Sequence, residues 1–405
     1  MGAAVSGCIV PVIEVGSMSR IASASVLALL IAGGSLAACS DPTPPQKGPD
    51  PAKVAVTPAA APVGPIAPVL PAASDMPQTG GLTAPPALDL PPFGQTIAAA
   101  SLPASTSHPA PKTAIGGADP GLIKLEVWLD RAGFSPGVID GRGGENLDHA
   151  LAAYATARGL AGDGKLDKAL WDSLAADAAP VVRVYQITPD DLAGPFIGTP
   201  PKDYRDLAKL PKLAYSDPQQ LLSEKFHMDR KLLLDLNPGA DFAAAGTKIL
   251  VVAPHAPRPD LKVARIEVDK SQEMLRAFDA QDHLVAVYPA SVGSTERPAP
   301  SGSFEVRAVA PAPAYYFDPD RLTFAPKGAK GKLKIAPGPN NPVGSTWIAL
   351  NIETYGIHGS PSPSLIGKRQ SHGCVRLTNW DAAELGKAVK AGTKVDFVGV
   401  EKPKA

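Results

Sequence analysis

Along the chain the spacing of apolar and polar positions changes character several times. Ile21 to Ala32 is an unbroken apolar run, shorter than the roughly 20 residues a membrane span needs. From Ser40 to about Asp119 no period of 3.6 or 2 is sustained. Regular spacing starts near Pro120. Leu122, Leu125, Val127, Trp128 and Leu129 have largely helical spacing, and a turn follows over Ala132 to Gly141. A second helix is predicted over Glu145 to Arg158, with Leu147, Leu151 and Tyr154 on one face and Gly159 to end it. A third, shorter helix carries Leu166, Leu170, Trp171 and Leu174. Val182 to Ile187 alternates as a strand. Two short helices, Ser216 to Lys225 and Asp229 to Leu236, have Ser216 and Asp229 as N-caps, and a strand runs from Lys248 to Val252.

After Lys262 the pattern turns to β. Strands are predicted over Val263–Asp269, Met274–Phe278, His283–Ala290, Ser303–Val309, Thr346–Ile352 and Val395–Val400. The stretch from Pro311 to Pro342, rich in Pro, Gly and Tyr, is expected to form a flap over a groove. A helix from about Asn379 to Lys390 opens on Thr378 and Asp381, a capping-box pair with Asp in place of Glu.

Composition sharpens this division. The 405 residues include 45 prolines and 38 glycines, an excess over the ordinary level of about 12% for the two together. Residues 39–119 hold much of the proline and few charges. They cannot bury enough apolar surface to offset ordering, so a disordered, Pro/Ala-rich, semi-extended tether is expected there. The 39 basic and 39 acidic side chains cancel, which argues against a nucleic-acid partner. The three cysteines, Cys8, Cys39 and Cys374, are too few and scattered for a disulfide framework or a Cys-based zinc site.

Arg20, the short apolar run and Leu36-Ala37-Ala38-Cys39 form a signal peptide whose end resembles the bacterial lipobox. That resemblance implies cleavage before Cys39, a diacylglycerol on its thiol and, with Ser40 next, outer-membrane sorting. Residues 1–17 suit this signal poorly: they contain Glu14 and no Lys or Arg, so Met18 is the expected natural start. Met1-Gly2 with Ser6 fits the myristoylation pattern, but three loose positions match often by chance, and an export signal follows. The mature chain would keep one free thiol, Cys374.

Two middle segments carry weaker resemblances. Residues 120–178, with Gly133-Phe134, Pro136-Gly137 and Ile139-Asp140-Gly141 in the first turn, resemble the small three-helix peptidoglycan-binding domain. Residues 182–254, with Leu236-Asn237-Pro238-Gly239 and Gly246-Thr247-Lys248-Ile249, resemble a degenerate α+β LysM module. The insert from Pro189 to Leu213 departs from its compact form, so a plain spacer is the other reading.

The chemistry gathers in Ile357-His358-Gly359 and Ser371-His372-Gly373-Cys374-Val375-Arg376-Leu377. If residues 372–376 are extended, His372, Cys374 and Arg376 share one face while Val375 and Leu377 enter the core. Bases near a thiol favour the thiolate nucleophile. Gly373 lets a substrate carbonyl approach backbone N–H groups that can stabilise an oxyanion. Arg376 can pair with a carboxylate. Zinc binding by His358, His372 and Cys374 is an alternative, but the motif offers no carboxylate to orient the rings. His108, His149, His227, His255 and His283 have no ligand spacing.

The pair of motifs, with Pro300–Val306 and Pro337–Leu350 upstream, resembles the catalytic domain of the L,D-transpeptidases of the YkuD type. The resemblance implies a sandwich-like, mainly-β domain over 262–400. It implies Cys374 as nucleophile and His358 as general base held by a backbone carbonyl. It implies His372 and Gly373 shaping the pocket and oxyanion hole, and Arg376, Ser371 and Gly359 on the substrate. Ser360 and Pro361-Ser362-Pro363 depart from the family's usual run. The expected whole is multidomain: leader (1–38), tether (39–119), helical domain (120–178), LysM-like module (182–254) and catalytic domain. The expected reaction is acyl transfer between peptidoglycan stem peptides with loss of D-alanine and without metal or cofactor. L,D-carboxypeptidase, endopeptidase and a non-catalytic lipoprotein tether are the alternatives. Partners are stem peptides, glycan strands and, through the lipid, a membrane.

Overall fold

The computed structural model describes residues 89–106, 116–161, 164–294, 297–319, 331–369, 371 and 373–401. The leader, Cys39, most of the 39–119 stretch and His372 lie outside them. The end of that stretch differs from the expected tether. Helix α1 (Pro92–Ala98) has proline at its first positions, where the missing N–H costs nothing. Leu90 and Ile97 are buried, and Gly94 packs on Leu250. Prolines that signal extended chain on average here start a helix.

The helical domain consists of α2 (Pro120–Arg131), α3 (Glu145–Ala157) and α4 (Lys168–Ala175). Asp119 and Asp167 cap α2 and α4 through side-chain bonds to free N–H groups. Trp128 meets Trp171 edge-on at 4.9 Å, and Phe134 meets Tyr154 at 5.3 Å. The next module pairs β1 (Val182–Gln186) antiparallel with β2 (Lys248–Val252). Between them lie the single turns α5 (Pro189–Leu192) and α6 (Tyr204–Leu207) and the helices α7 (Pro218–Lys225) and α8 (Arg230–Leu236). Asp229 caps α8. The cap of α7 is Asp217, not Ser216, because Pro218 occupies the first helical position; the Ser216 N–H is taken by the Gln220 side chain. Leu122, Leu151, Phe226 and Leu250 share one core.

The C-terminal part is built on nine strands: β3 (Arg265–Asp269), β4 (Met274–Phe278), β5 (Leu284–Pro289), β6 (Ser291–Val292), β7 (Gly302–Pro311), β10 (Thr346–Leu350), β11 (Gly356–His358), β12 (Val375–Arg376) and β13 (Lys394–Val398). Their order is β5-β4-β3-β13-β7-β10-β11-β12-β6. The two edge strands, β5 and β6, are separated in sequence by Ala290 alone, so the sheet must curl back until its edges meet. The result is a nearly closed barrel rather than the expected sandwich. β7 explains the difference: Gly302–Glu305 pairs with β13 and Val306–Pro311 with β10, so one long strand runs through both halves. Ile266, Ile348, Ile357, Val375 and Leu385 fill the interior, the last from α9 (Asn379–Ala388). Within the expected flap, β8 (Tyr315–Phe317) and β9 (Leu333–Ile335) form an antiparallel ribbon of their own.

The turn after α2 docks the helical domain onto its neighbours. The Val287 N–H donates to the Gly133 carbonyl and the Ser135 N–H to the Val287 carbonyl, which covers the open edge of β5. Ile139 bonds to the backbone of His227 and Asp229 in the same way.

Candidate active site

β10, β11 and β12 lie side by side. Their register sets His358 opposite Trp347 on one flank and Arg376 on the other. Cys374 precedes Arg376 by two residues and so shares its face. Burial agrees: Cys374 clusters with Trp347, Tyr315, Phe317, Leu207 and Leu213, whereas Val375 and Leu377 belong to the barrel core.

The extended run is shorter than expected. Only Val375–Arg376 is strand, and Gly373 has a φ of 125°, a conformation that side chains resist. Ser371 pins this turn: its hydroxyl donates to the Cys374 carbonyl at 2.5 Å and accepts from the Gly373 N–H at 3.0 Å. Gly373 therefore contributes backbone conformation, and its N–H is already engaged. The Cys374 sulfur lies 3.8 Å from the Thr354 carbonyl oxygen. Cys374 is disulfide-bonded, whereas the free thiol is expected of the mature chain. The expectation assumed a processed N-terminus, and this chain still carries Cys8 and Cys39.

His358 is 3% exposed. Its Nδ1 lies 2.7 Å from the Gly359 carbonyl oxygen. A carbonyl only accepts, so Nδ1 holds the proton and Nε2 keeps its lone pair. Burial, then the Arg376 charge, bring the imidazole down to about 3, against the opposing effect of the Gly359 bond. The ring is thus neutral at working pH, and it stacks on Trp347 at 5.5 Å. Burial also lowers the Arg376 guanidinium, which the nearby phenols of Tyr204 and Tyr315 counter; an arginine stays charged through such a shift. Gly359 donates its N–H to the Thr346 carbonyl, and a Cβ there would lie 2.4 Å from Asn379 Oδ1.

Arg376, Ser360 and Arg369 line a groove of about 920 Å3 whose other wall is Lys202, Tyr204, Glu224 and Arg230. The insert that departs from the LysM pattern is thus part of this surface. Tyr204 stacks on Phe317 at 4.7 Å, and the Leu213 N–H donates to the Pro337 carbonyl. From the helical domain, the Asn146 side chain donates to the Ile366 carbonyl beside the groove. Sequence reasoning passed over Tyr204 and Glu224, since neither stands in a motif.

Among the described residues, metal-type side chains gather only at Asp130, His227 and His255, their ligand atoms within 4.8 Å of one another. Asp130 Oδ1 lies 3.0 Å from His227 Nδ1 and Oδ2 accepts the backbone N–H of His255 at 2.8 Å, while the His255 ring Nδ1 lies 2.8 Å from the Ala256 carbonyl oxygen. The sequence spacing of these histidines did not suggest their meeting. The zinc alternative includes His372, which is outside the described residues.

Residues 263–397 match the family model of the L,D-transpeptidase catalytic domain, and residues 118–174 match that of a peptidoglycan-binding domain. The L,D-transpeptidase-family protein YkuD of Bacillus licheniformis is 30% identical over 176 residues, covering 44% of this chain and 90% of that protein. YbiS of Escherichia coli, of the same family, is 27% identical over 188 residues, with 45% of this chain and 60% of YbiS covered. Among solved structures, the catalytic domain of the Enterococcus faecium L,D-transpeptidase is 21% identical, covers 34% of this chain and 98% of that one, and has a TM-score of 0.27. The matches make peptidoglycan the partner and the cell wall the place of work, and no described helix is long and apolar enough to cross a membrane. The chain belongs to the YkuD-type L,D-transpeptidase family of enzymes and carries a peptidoglycan-binding domain ahead of the catalytic one.

Proposed function

We propose that the reduced Cys374 thiol is the nucleophile of an L,D-transpeptidation between peptidoglycan stem peptides. The observation that carries this reading is the placement of His358 and Arg376 on paired strands, with Nδ1 of the histidine committed to Gly359 and Cys374 on the same face. The Cys374 thiol gives its proton to Nε2 of His358, and the sulfur adds to the carbonyl before the terminal D-alanine of a tetrapeptide stem. The C–N bond breaks, the proton passes to the leaving amine, and D-alanine departs from a thioester. The side-chain amine of diaminopimelate on a second stem attacks that thioester, loses a proton to His358 and restores the thiol. Arg376 holds a substrate carboxylate, Gly359 holds His358 through its carbonyl, and Ser371 sets the turn. By resemblance to the family, His372 is expected to shape the pocket. No cofactor enters these steps.

A neutral imidazole supports this order of proton transfer, since only the neutral ring can accept from a thiol. The test is incubation of the reduced chain with a carbapenem, followed by intact-mass measurement. One covalent adduct is expected on wild type and none on Cys374→Ala; an adduct that persists in Cys374→Ala overturns the assignment. Muropeptide products from purified sacculi then separate cross-linking from carboxypeptidase and endopeptidase action.

We also place the protein at the outer membrane through a lipid on Cys39, on the strength of Leu36-Ala37-Ala38-Cys39 after the apolar run. Cys39→Ser is expected to move the chain from the membrane to the soluble fraction on cell fractionation. Retention in the membrane pellet overturns the anchor.

A further inference from the structure

Helix α7 lies outside the barrel, yet its Glu224 reaches the start of α9. Glu224 Oε2 accepts from Asn379 Nδ2 at 3.0 Å, across 155 positions of sequence. Oε1 accepts from Gln220 Nε2 at 3.1 Å. Glu224 is 6% exposed, and both these partners are neutral carboxamides. Burying a carboxyl among neutral groups is unfavourable, and burial pushes this one up to about 7 against the two side-chain bonds. Such a group contributes little to stability, so its role is sought in what it orients.

What it orients is Asn379. The amide Oδ1 accepts from the Ser345 N–H at 3.0 Å, and Nδ2 donates also to the Pro339 carbonyl at 3.2 Å. Oδ1 is wedged against two glycines: a Cβ at Gly344 or Gly359 would stand 2.2 or 2.4 Å from it. A carboxamide can rotate to exchange its oxygen and nitrogen, but once ionised, above about pH 7, Glu224 only accepts, and the Ser345 N–H and Pro339 carbonyl call for the same orientation of the amide. Facing Glu224, Asn379 must turn Nδ2 toward α7 and Oδ1 toward Ser345 and Gly359. Gly359 in turn supplies the carbonyl, 2.7 Å from Nδ1, that fixes the His358 tautomer.

We propose that Glu224 is a positioning residue for His358, acting through the Asn379 carboxamide and the Gly359 peptide it abuts. The inference rests on the reading of His358 as the base. It makes a residue of the preceding module, rather than of the barrel, part of what sets the geometry of acyl transfer.

The test is the rate of acylation of the reduced full-length chain by a carbapenem, measured as a function of carbapenem concentration. Glu224→Met keeps the volume and removes the acceptors; Glu224→Gln leaves one oxygen able to face Asn379. Glu224→Met is expected to lower the saturating rate roughly tenfold with the half-saturating concentration little changed, as misplacement of a reacting group does. Glu224→Gln is expected to stay within about threefold of wild type, since one acceptor remains. Lys225→Ala, on the same helix but bonded to Asp191 and Tyr185, is expected to react at the wild-type rate. A wild-type rate in Glu224→Met, equal losses in the Gln and Met variants, or a matching loss in Lys225→Ala overturns the positioning role while leaving the Cys374 reading intact. Absence of any adduct on reduced wild type overturns that reading and this proposal with it.

Discussion

At the scale of single residues, the turn from Ser371 to Cys374 shows how little side chain is needed to aim a reactive group. Gly373 takes a φ that a Cβ would oppose, and the buried Ser371 hydroxyl holds both a donor and an acceptor of the backbone. Ser371→Ala removes both bonds at once and leaves the Gly373 N–H and the Cys374 carbonyl without that partner. A cost of about 1–3 kcal/mol is expected, read as a lower urea midpoint. Carbapenem acylation is expected to slow by roughly tenfold, because the sulfur is no longer held in one place. Ser371→Thr, which restores the hydroxyl, should recover most of the rate. An alanine variant that acylates as fast as wild type would show that the turn keeps its shape without this hydroxyl. The joint use of glycine and serine was visible in the motif. What the motif did not reveal is that the hydroxyl serves the backbone.

At the scale of elements, legibility followed the length of the pattern. β3 is five residues that alternate between half-buried and buried positions, and it was readable; β11 and β12 are three and two residues long, too short to establish a period. Helix α1 was hidden by its prolines, and Pro218 moved the cap of α7 by one residue to Asp217. Barrel closure was not legible at all. It depends on β5 and β6 finding opposite ends of one sheet, a long-range pairing that no local pattern encodes. The same distinction applies to the site. His358, Cys374 and Arg376 stand in two short motifs on neighbouring strands, so sequence alone suggested that they meet. Tyr204 and Glu224 come from an upstream module that forms the opposite wall of the groove, and their arrival there is a property of tertiary docking. The glycine-rich turn after α2 is a related case: it resembles a peptidoglycan-binding feature, but much of it is buried against β5 and the start of α8.

At the scale of the whole molecule, the described residues pack as one compact unit, and a buried charge cluster lies where three of its parts meet. Arg258 grips Glu384 of α9 with two bonds, at 2.9 and 2.6 Å. Tyr288 of β5 donates to the same carboxylate, and His255 Nε2 lies 3.6 Å from it. Asp130 of α2 accepts from the backbone of His255 and pairs with His227, whose ring stacks on Trp380 of α9 at 5.0 Å. Burial would raise Glu384, but the Arg258 bonds, the His255 and Arg258 charges and the Tyr288 bond outweigh it and leave the carboxyl below its ordinary value. Asp130 is likewise lowered by His227 and His255 in spite of burial. For carboxyls lowered in this way the sign is fixed: their stabilisation is present above the ordinary carboxylate range and is lost as pH falls through the folded-state value. Arg258→Ala removes the grip and leaves Glu384 buried beside other acids, so burial should then raise it. A loss of about 3–5 kcal/mol is expected near neutral pH, and it should shrink on acidification, because protonation relieves a raised Glu384 in the variant while wild type loses the stabilisation its lowered carboxyl gave. Because the cluster links α2 and the segment around His227 to α9, the variant should also unfold in two steps. Tryptophan fluorescence and far-ultraviolet circular dichroism, coincident in wild type, should then separate along a urea titration. Coincident transitions at the wild-type midpoint in Arg258→Ala would mean that apolar packing of the helical core on Met274 and Val287 of the barrel is enough to join the modules, with the charges adding nothing.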